Sequence, residues 1–164
     1  EFVFRLTRLE EFGENGLDEG EFLMAPNPGE GLHPLAKIAS GGEISRVFLA
    51  IKKILGKVRS SETCVFDEVD VGIGGRVAEV IGRNLSQLAA KKQVVCVTHL
   101  PQIACYADHH FVIQKKTEQG RTSTRVRLLE TEQREQEIAR MLGGLKITEQ
   151  AVAHAREMLK SARH

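Results

Sequence analysis

Residues 63–75 read TCVFDEVDVGIGG, and this stretch decides the fold. Its opening run, TCVF, predicts a short buried strand that ends on two adjacent carboxylates, Asp67 and Glu68. Because adjacent residues of a strand point to opposite sides, these two carboxylates can do different work. One suits a hydrated Mg²⁺ ion, and the other suits a group that orients or deprotonates a water molecule. The simpler alternative is a strand that ends in solvated acids.

The segments on both sides of this stretch predict an α/β core. Apolar residues recur at helical spacing over residues 42–57 and again from Val77 to Leu88, so each segment is predicted to be an amphipathic helix. Residues 93–99, QVVCVTH, form an unbroken apolar run that is typical of a strand in a parallel sheet covered on both faces. The order of helices and strands therefore predicts a parallel sheet flanked by helices, with antiparallel additions at both ends.

The elements outside this core are predicted from alternating apolar and polar residues, from turn residues and from helix-capping residues. Residues 2–9 and 21–24 are predicted strands, separated by a turn over GENGLDEG and followed by a loop over PNPGEGLHPL. A second hairpin is predicted from residues 110–114 and 124–129 around TEQGR. Three helices complete the chain: a short one at residues 101–106, one capped by Thr131 that stops at Gly143 and Gly144, and a last one capped by Thr148.

A second motif, ASGGEISR, lies at the start of the first amphipathic helix. Its polar end consists of Ser40, Gly41, Gly42 and Glu43. Unhindered backbone N–H groups at a helix start, with a hydroxyl beside them, form a small anion site. The alternative is a plain N-cap with a flexible approach.

A third motif, VTHLP, places His99 directly after a buried strand. If the strands are parallel, His99 shares one edge of the sheet with Asp67, which favours a functional role. The alternative is a structural histidine with satisfied hydrogen bonds. His109 and His110 have no companion at a metal-ligand spacing and are interpreted as strand-edge residues.

Composition sets broad limits on the class of protein. The 164 residues carry a net charge of +1, so bulk charge neither favours nor excludes a nucleic-acid partner. Basic clusters at residues 52–59 and 115–127 are explained more simply as solvated faces than as phosphate contacts. Three cysteines without framework spacing predict a reducing compartment, and the sequence contains neither a signal peptide nor an apolar run of membrane-spanning length. We therefore expect a cytoplasmic protein, and the first residue, which is not methionine, predicts a piece of a longer one.

The three motifs occur in an order that resembles one family, the ATP-binding-cassette ATPases. SGGE is similar to the signature motif of that family, CVFDE to its Walker B strand, and His99 to its switch histidine. Glu43 stands where transporters usually carry glutamine, which is typical of the chromosome-associated, SMC-like branch. The segments NPGE, KIASGGEISR, FDEVDVGIGG, VTHLPQIA and ARMLGG together resemble the carboxy-terminal part of a DNA-repair member of that branch, from about residue 27 to residue 159.

This resemblance implies that residues 1–164 form the carboxy-terminal lobe of an ABC/SMC-type ATPase head, in which two heads sandwich two ATP molecules. Asp67 would hold Mg²⁺ through water, Glu68 would deprotonate the attacking water, and His99 would contact the γ-phosphate. Residues 40–43 would close on the γ-phosphate bound to the opposite head. The implied function is ATP hydrolysis in DNA double-strand break repair and recombination at the nucleoid, with DNA and a second head as partners and no membrane.

The sequence contains no G-x-x-x-x-G-K-[ST], the loop that cradles the β- and γ-phosphates. The resemblance implies that this Walker A half of the head, and a coiled coil, belong to another segment or polypeptide. Gly74 stands where most of the family carries an aspartate between the two heads, and Asp70 is the candidate to replace it. Three alternatives stay open: a DNA-bridging scaffold gated by ATP, the nucleotide-binding subunit of a membrane transporter, and a non-enzymatic α/β binding module.

Overall fold

The computed structural model describes residues 1–25, 29–38, 40–55, 63–118, 121–144 and 147–162. The chain divides into two compact units, Glu1–Ile44 and Ser45–His164. The elements in chain order are β1 (Phe2–Gly13), β2 (Gly16–Met24), β3 (His33–Pro34), α1 (Leu35–Ile38), α2 (Gly41–Leu55), β4 (Thr63–Phe66), α3 (Gly75–Ala89), β5 (Gln93–Cys96), α4 (Pro101–Ala104), β6 (Phe111–Glu118), β7 (Arg121–Leu128), α5 (Thr131–Gly143) and α6 (Glu149–Ser161). This mixture confirms the predicted α/β class.

The first unit is built on an antiparallel hairpin of β1 and β2, and β3 pairs with the end of β2. The chain turns over residues 14–15, where Gly13 pairs with Gly16, and the φ angle of Gly16 is 114°. Glycine reaches this conformation without steric cost, so two residues suffice to reverse the chain. The turn predicted over the whole of GENGLDEG is therefore wrong beyond its first residues, because β2 already begins at Gly16.

The predicted loop over residues 26–35 also contains regular structure. His33–Pro34 forms β3 and Leu35–Ile38 forms the single turn α1, whereas residues 26–28 lie outside the described part. The hairpin carries its own aromatic cluster, in which the ring of Phe22 lies 5.4 Å from that of Phe2 and 4.8 Å from that of Phe4. Cross-strand aromatic contacts of this kind stabilise a sheet locally.

The second unit contains the parallel pair that the sequence predicted. β4 and β5 lie in register from Thr63 opposite Gln93 to Phe66 opposite Cys96, and α3 connects them. The predicted strand over residues 93–99 ends earlier, at Cys96, although Val97 N still donates to Phe66 O at 2.9 Å. Both strands therefore end at the same edge of the sheet.

The main hydrophobic core covers one face of this pair. Its buried members are Leu49, Cys64, Phe66, Val69, Ala78, Ile81, Leu85, Leu88 and Ile103. On the alternate positions, Val65, Val95 and Val97 are 62%, 46% and 50% exposed. The sequence predicted that helices would cover both faces of the parallel sheet. In the described ranges, α2, α3 and α4 cover the face that carries Cys64 and Phe66, and the opposite face stays open.

The carboxy-terminal part forms the predicted hairpin and two packed helices. β6 pairs with β7 from Phe111 opposite Leu128 to Glu118 opposite Arg121, one residue short of the predicted segments at their outer ends and several residues longer toward the turn. α5 packs on α6 around Ile138, Ala139 and Ala155. The prediction that Thr131 caps α5 is wrong, because Glu130 accepts from the backbone of residue 133 and Gln133 reaches back in a capping box. The cap predicted at Thr148 is confirmed by its bond from Ala151 N. In the described ranges, each helix is too short or too polar to cross a membrane.

Gly82→Ala is expected to lower the free energy of unfolding by about 1 to 3 kcal/mol, because α3 and α4 touch at this glycine. A Cβ atom at residue 82 would lie 2.5 Å from Tyr106 Cδ2 and 2.9 Å from the backbone oxygen of Gln102. A backbone oxygen within a helix yields less readily than a flexible side chain. Urea denaturation of the two proteins measures the difference.

Gly143→Ala is the matched control for this substitution. A Cβ atom at residue 143 would meet Ala151 Cβ at 3.7 Å, which is an ordinary contact. Since residue 143 belongs to α5, alanine is expected to be neutral or stabilising by up to about 1 kcal/mol. Unchanged stability of Gly82→Ala would contradict the tight approach of α3 and α4.

Candidate functional site

Asp67 and Glu68 stand at the carboxyl end of β4, and both side chains are exposed. Asp67 Oδ1 accepts a hydrogen bond from Glu68 N at 2.9 Å. Glu68 has a positive φ angle of 57°. Within the described ranges, every other non-glycine residue has a negative φ angle. A left-handed conformation costs a residue with a Cβ atom about 1 to 3 kcal/mol and occurs often at functional sites. The local backbone is therefore strained at the residue that the sequence motif proposes as the base.

The chain after Glu68 folds into tight turns that lead to α3. Val71 N donates to Glu68 O at 3.1 Å, and Ile73 N donates to Asp70 O at 3.4 Å. Between these turns, the side chains of Val69 and Asp70 are buried, at 0% and 3% exposure. The loop thus exposes its first two carboxylates and turns the third one inward.

The inward carboxylate of Asp70 joins the ends of the two parallel strands. Its Oδ2 atom accepts from Thr98 Oγ1 at 2.6 Å and from the backbone N of His99 at 2.9 Å. The ring atom Nδ1 of His99 lies 3.0 Å from the same oxygen, while the His99 side chain is 73% exposed. Since a carboxylate accepts, this contact favours the tautomer with the proton on Nδ1, which leaves Nε2 for other partners.

The charge of Asp70 is stabilised by these contacts. Burial alone would raise the pKa of its carboxyl, but the hydrogen bonds from Thr98 and from the His99 amide, with the His99 ring nearby, lower it below the ordinary value of 3.8. Burial and the charges of Asp70 and Asp67 raise the pKa of the Cys96 thiol to about 12. Cys96 therefore stays protonated, and it is a free thiol, like the other two cysteines.

Three of the residues that the sequence singled out lie at one edge of the second unit. Asp67 follows Phe66, which pairs with Cys96, and His99 follows Cys96 by three residues. Sequence reasoning missed the part that two further residues have in this site. Asp70 accepts from the His99 backbone and contacts its ring, and Thr98 donates to Asp70. Asp70 was proposed there to face a second head, whereas its carboxylate is used inside its own chain. The signal was available in VTHLP, where a hydroxyl residue directly precedes the histidine.

Ser40 and Glu43 belong to the first unit, and their contacts are those of a helix start. Ser40 N donates to Glu43 Oε2 at 2.8 Å, and Glu43 N donates to Ser40 Oγ at 3.3 Å. This reciprocal pair is a capping box, the plain N-cap that the sequence left as an alternative. Because the Ser40 hydroxyl accepts in this bond, its own proton stays available for a further partner. Gly41 is exposed and Gly42 is buried.

A cavity of about 520 Å³ lies elsewhere in the second unit and contains none of the proposed site residues. Its lining includes His109, His110, Arg134 and Lys160. Burial and the charge of Arg134 lower the pKa of His110. Both histidines lie just before β6, where His110 O accepts from Leu129 N at 2.9 Å, in agreement with their interpretation as strand-edge residues.

Sequence comparisons show close relatives of this chain, although no family model matches it. The DNA repair protein RecN of Halalkalibacterium halodurans is 48% identical over 151 residues, which are 92% of this chain and 27% of the relative. RecN of Haemophilus influenzae is 47% identical over 160 residues, with 97% and 29% covered. RecN of Deinococcus radiodurans is 49% identical over 156 residues, with 95% and 27% covered. The chain thus spans about a quarter of the length of these relatives.

A solved structure shares the fold. The Smc head domain with a coiled coil and joint from Pyrococcus yayanosii matches with a TM-score of 0.56 and 18% identity, over 99% of this chain and 26% of that one. This likeness concerns the fold alone. The sequence identities cover nearly the whole chain and correspond to the carboxy-terminal part of the relatives. The chain therefore belongs to the RecN family, as a carboxy-terminal part, and shares the fold of part of an SMC-type head domain.

Proposed function

We propose that this chain is the carboxy-terminal part of an ATP-hydrolysing head, and that the whole protein acts on DNA at the nucleoid in double-strand break repair and recombination. The observation that carries the proposal is the edge of the parallel pair, where Asp67 and Glu68 end one strand and His99 follows the other. In parallel sheets, ligands bind beyond the carboxyl ends of the strands. The relatives' shared name, DNA repair protein RecN, supports the role in repair and not in membrane transport.

Asp67 is the residue that would hold Mg²⁺. Its exposed carboxylate offers hard oxygen ligands, and Mg²⁺ is commonly held by one or two carboxylates together with phosphate oxygens and water. In the described ranges, no three His, Cys, Asp or Glu side chains cluster as a metal site of their own. When bound, the ion would neutralise charge on the phosphates.

Glu68 would orient and deprotonate the water that attacks the γ-phosphate. Its side chain is exposed, and its backbone is in the left-handed conformation. The rate of phosphoryl transfer depends mostly on positioning and charge stabilisation, so a base held by a strained but fixed backbone suits this reaction.

His99 would contact the γ-phosphate through Nε2. The contact between Nδ1 and Asp70 orients the ring, and the backbone N–H of His99 donates to the same carboxylate. A histidine with one nitrogen fixed in this way has a defined tautomer and orientation. The buried Asp70 is therefore proposed to orient His99 toward the γ-phosphate.

Residues 40–43 would bind the γ-phosphate of the nucleotide held by a second head. The amide groups at the start of α2 and the helix dipole favour an anion, and the Ser40 hydroxyl retains a proton to donate. Two heads would thus share two ATP molecules, and hydrolysis would require the dimer. The ATP-sandwiched dimer would explain why the capping box of Ser40 and Glu43 encloses two glycines, Gly41 and Gly42.

The phosphate loop would come from the amino-terminal half of the same head. The chain spans about a quarter of its relatives, so that half has room outside it. The open face of β4 and β5, with Val65, Val95 and Val97 about half exposed or more, supports a further segment packed there. Burial of apolar surface of this kind contributes about 25 cal/mol per Å².

Glu68→Gln in the completed head is expected to leave ATP binding unchanged and to lower turnover by at least about 100-fold, the usual effect of losing a general base. Phosphate release and binding of a fluorescent ATP analogue measure the two properties. Glu79→Gln is the matched control, because Glu79 is an exposed carboxylate paired with Arg83 on α3. A rate near that of the unchanged protein would remove Glu68 from this role.

Ser40→Arg is expected to abolish the ATP-dependent dimer and to leave the head folded. The long cation would fill the space before the helix start and oppose the helix dipole. Sedimentation with a non-hydrolysable ATP analogue measures the dimer, and circular dichroism checks the fold. Ser161→Arg, at the exposed end of α6, is the control. Full dimer formation by Ser40→Arg would exclude residues 40–43 as the phosphate contact.

Asp70→Asn is expected to lower the free energy of unfolding by about 1 to 3 kcal/mol at pH 7, because a charged acceptor of two hydrogen bonds is replaced. Since the pKa of Asp70 is lowered in the folded state, its charge stabilises the fold above the ordinary value of 3.8. This contribution is lost as the pH falls through the lowered value. The difference between the proteins should therefore shrink in acid.

Urea denaturation at a series of pH values tests this dependence. Asp108→Asn, at an exposed position, is the control and should show little change at any pH. A difference for Asp70→Asn that stays constant down to the acid limit would contradict the stabilised carboxylate.

A further inference from the structure

The loop that carries Glu68 is held by two consecutive residues of α2. Ser45 Oγ donates to Asp67 O at 2.6 Å. Arg46 Nη1 donates to Val69 O at 3.3 Å and to Val71 O at 2.9 Å. All of these residues belong to the second unit. The bonded carbonyl groups stand before and after Glu68, so the strained residue lies within a stretch of backbone that is fixed on both sides.

We propose that Arg46, assisted by Ser45, is a positioning residue for Glu68: its guanidinium clamps the carbonyl groups of Val69 and Val71 and thereby keeps the base aimed. This inference rests on the proposed function of Glu68. Strained backbone conformations persist only where their surroundings over-determine them. The turn bond from Val71 N to Glu68 O supplies one constraint, and the clamp supplies the others.

The chemistry of the side chain explains why arginine stands here. A guanidinium is planar, remains charged at any physiological pH and carries five N–H donors in a fixed fork. Both bonds come from one nitrogen, Nη1, whose two N–H groups are held at a fixed angle in the plane of the guanidinium, so it can reach two carbonyl oxygens that lie two residues apart in a turn. A lysine would keep the charge but would present a compact ammonium whose N–H groups rotate on a flexible stem. Arg46→Lys is thus a test of geometry at constant charge.

The kinetic test uses Arg46→Ala and Arg46→Lys in the completed head. Both are expected to lower kcat for ATP hydrolysis by about 10- to 100-fold, because small displacements of a catalytic group cost rates of that order. Affinity for a non-hydrolysable ATP analogue should stay within about twofold, since the clamp touches backbone oxygens of its own chain. Lys53→Ala is the matched control, because Lys53 is a cation of the same helix whose Nζ bonds Asn84 Oδ1 instead.

A second variant separates positioning from general damage. If Arg46 acts through Glu68, Arg46→Ala should lower kcat by less than about twofold when it is introduced into Glu68→Gln. A further loss as large as that in the unchanged protein would overturn the proposal. An unchanged kcat of Arg46→Ala in the otherwise native head would overturn it equally.

Amide hydrogen exchange reads the loop directly, whatever the activity. In Arg46→Ala, the amides of Glu68 and Val71 should exchange at least about 10-fold faster, whereas those of α3 should be unchanged. If the completed head hydrolyses no ATP but the loop amides respond as expected, the proposed function fails and the clamp stands as a structural constraint. Loop amides that exchange at the same rate in both proteins would refute the clamp itself.

Discussion

The arrangement of the second unit depends on the in-register pairing of β4 with β5 and on the buried carboxylate that ties their ends together. The pairing places Phe66 opposite Cys96. Beyond it, Asp70 accepts hydrogen bonds from Thr98 and from the His99 backbone and contacts the His99 ring. A buried carboxylate is stable only when its oxygens are satisfied, so this tie fixes the loop after β4 and the segment after β5 together. The exposed side chains of Asp67, Glu68 and His99 therefore extend from two segments that Asp70 joins to each other.

The same construction explains why the proposed site is an open edge. Asp67, Glu68 and His99 have exposed side chains, whereas the cavity of about 520 Å³ is lined by other residues. A site that is completed by a phosphate loop from another segment and by a second head needs surfaces that can close on a nucleotide. Exposure of the proposed catalytic groups and of one face of the β4–β5 pair fits a chain that spans about a quarter of the length of its relatives.

Much of the fold could be predicted from the sequence because its strongest signals are local. The apolar run TCVF gave β4 with its correct bounds, and helical spacing located α2 and α3. The carboxylates and His99 could be assigned to strand ends because they directly follow apolar runs. Bonds between distant residues were beyond this reasoning: the role of Asp70 depends on Thr98 and His99, 28 and 29 residues later. The cap of α5 was missed because Glu130 competes with Thr131 through a box that includes Gln133.

A structure of the complete head with Mg²⁺ and a non-hydrolysable ATP analogue would test the proposed site directly. We expect the γ-phosphate to lie at the edge formed by Asp67, Glu68 and His99 of one head, with Ser40 of the other head closing on it. A nucleotide bound far from this edge, or a head dimer in which Ser40 faces solvent, would exclude the proposed site.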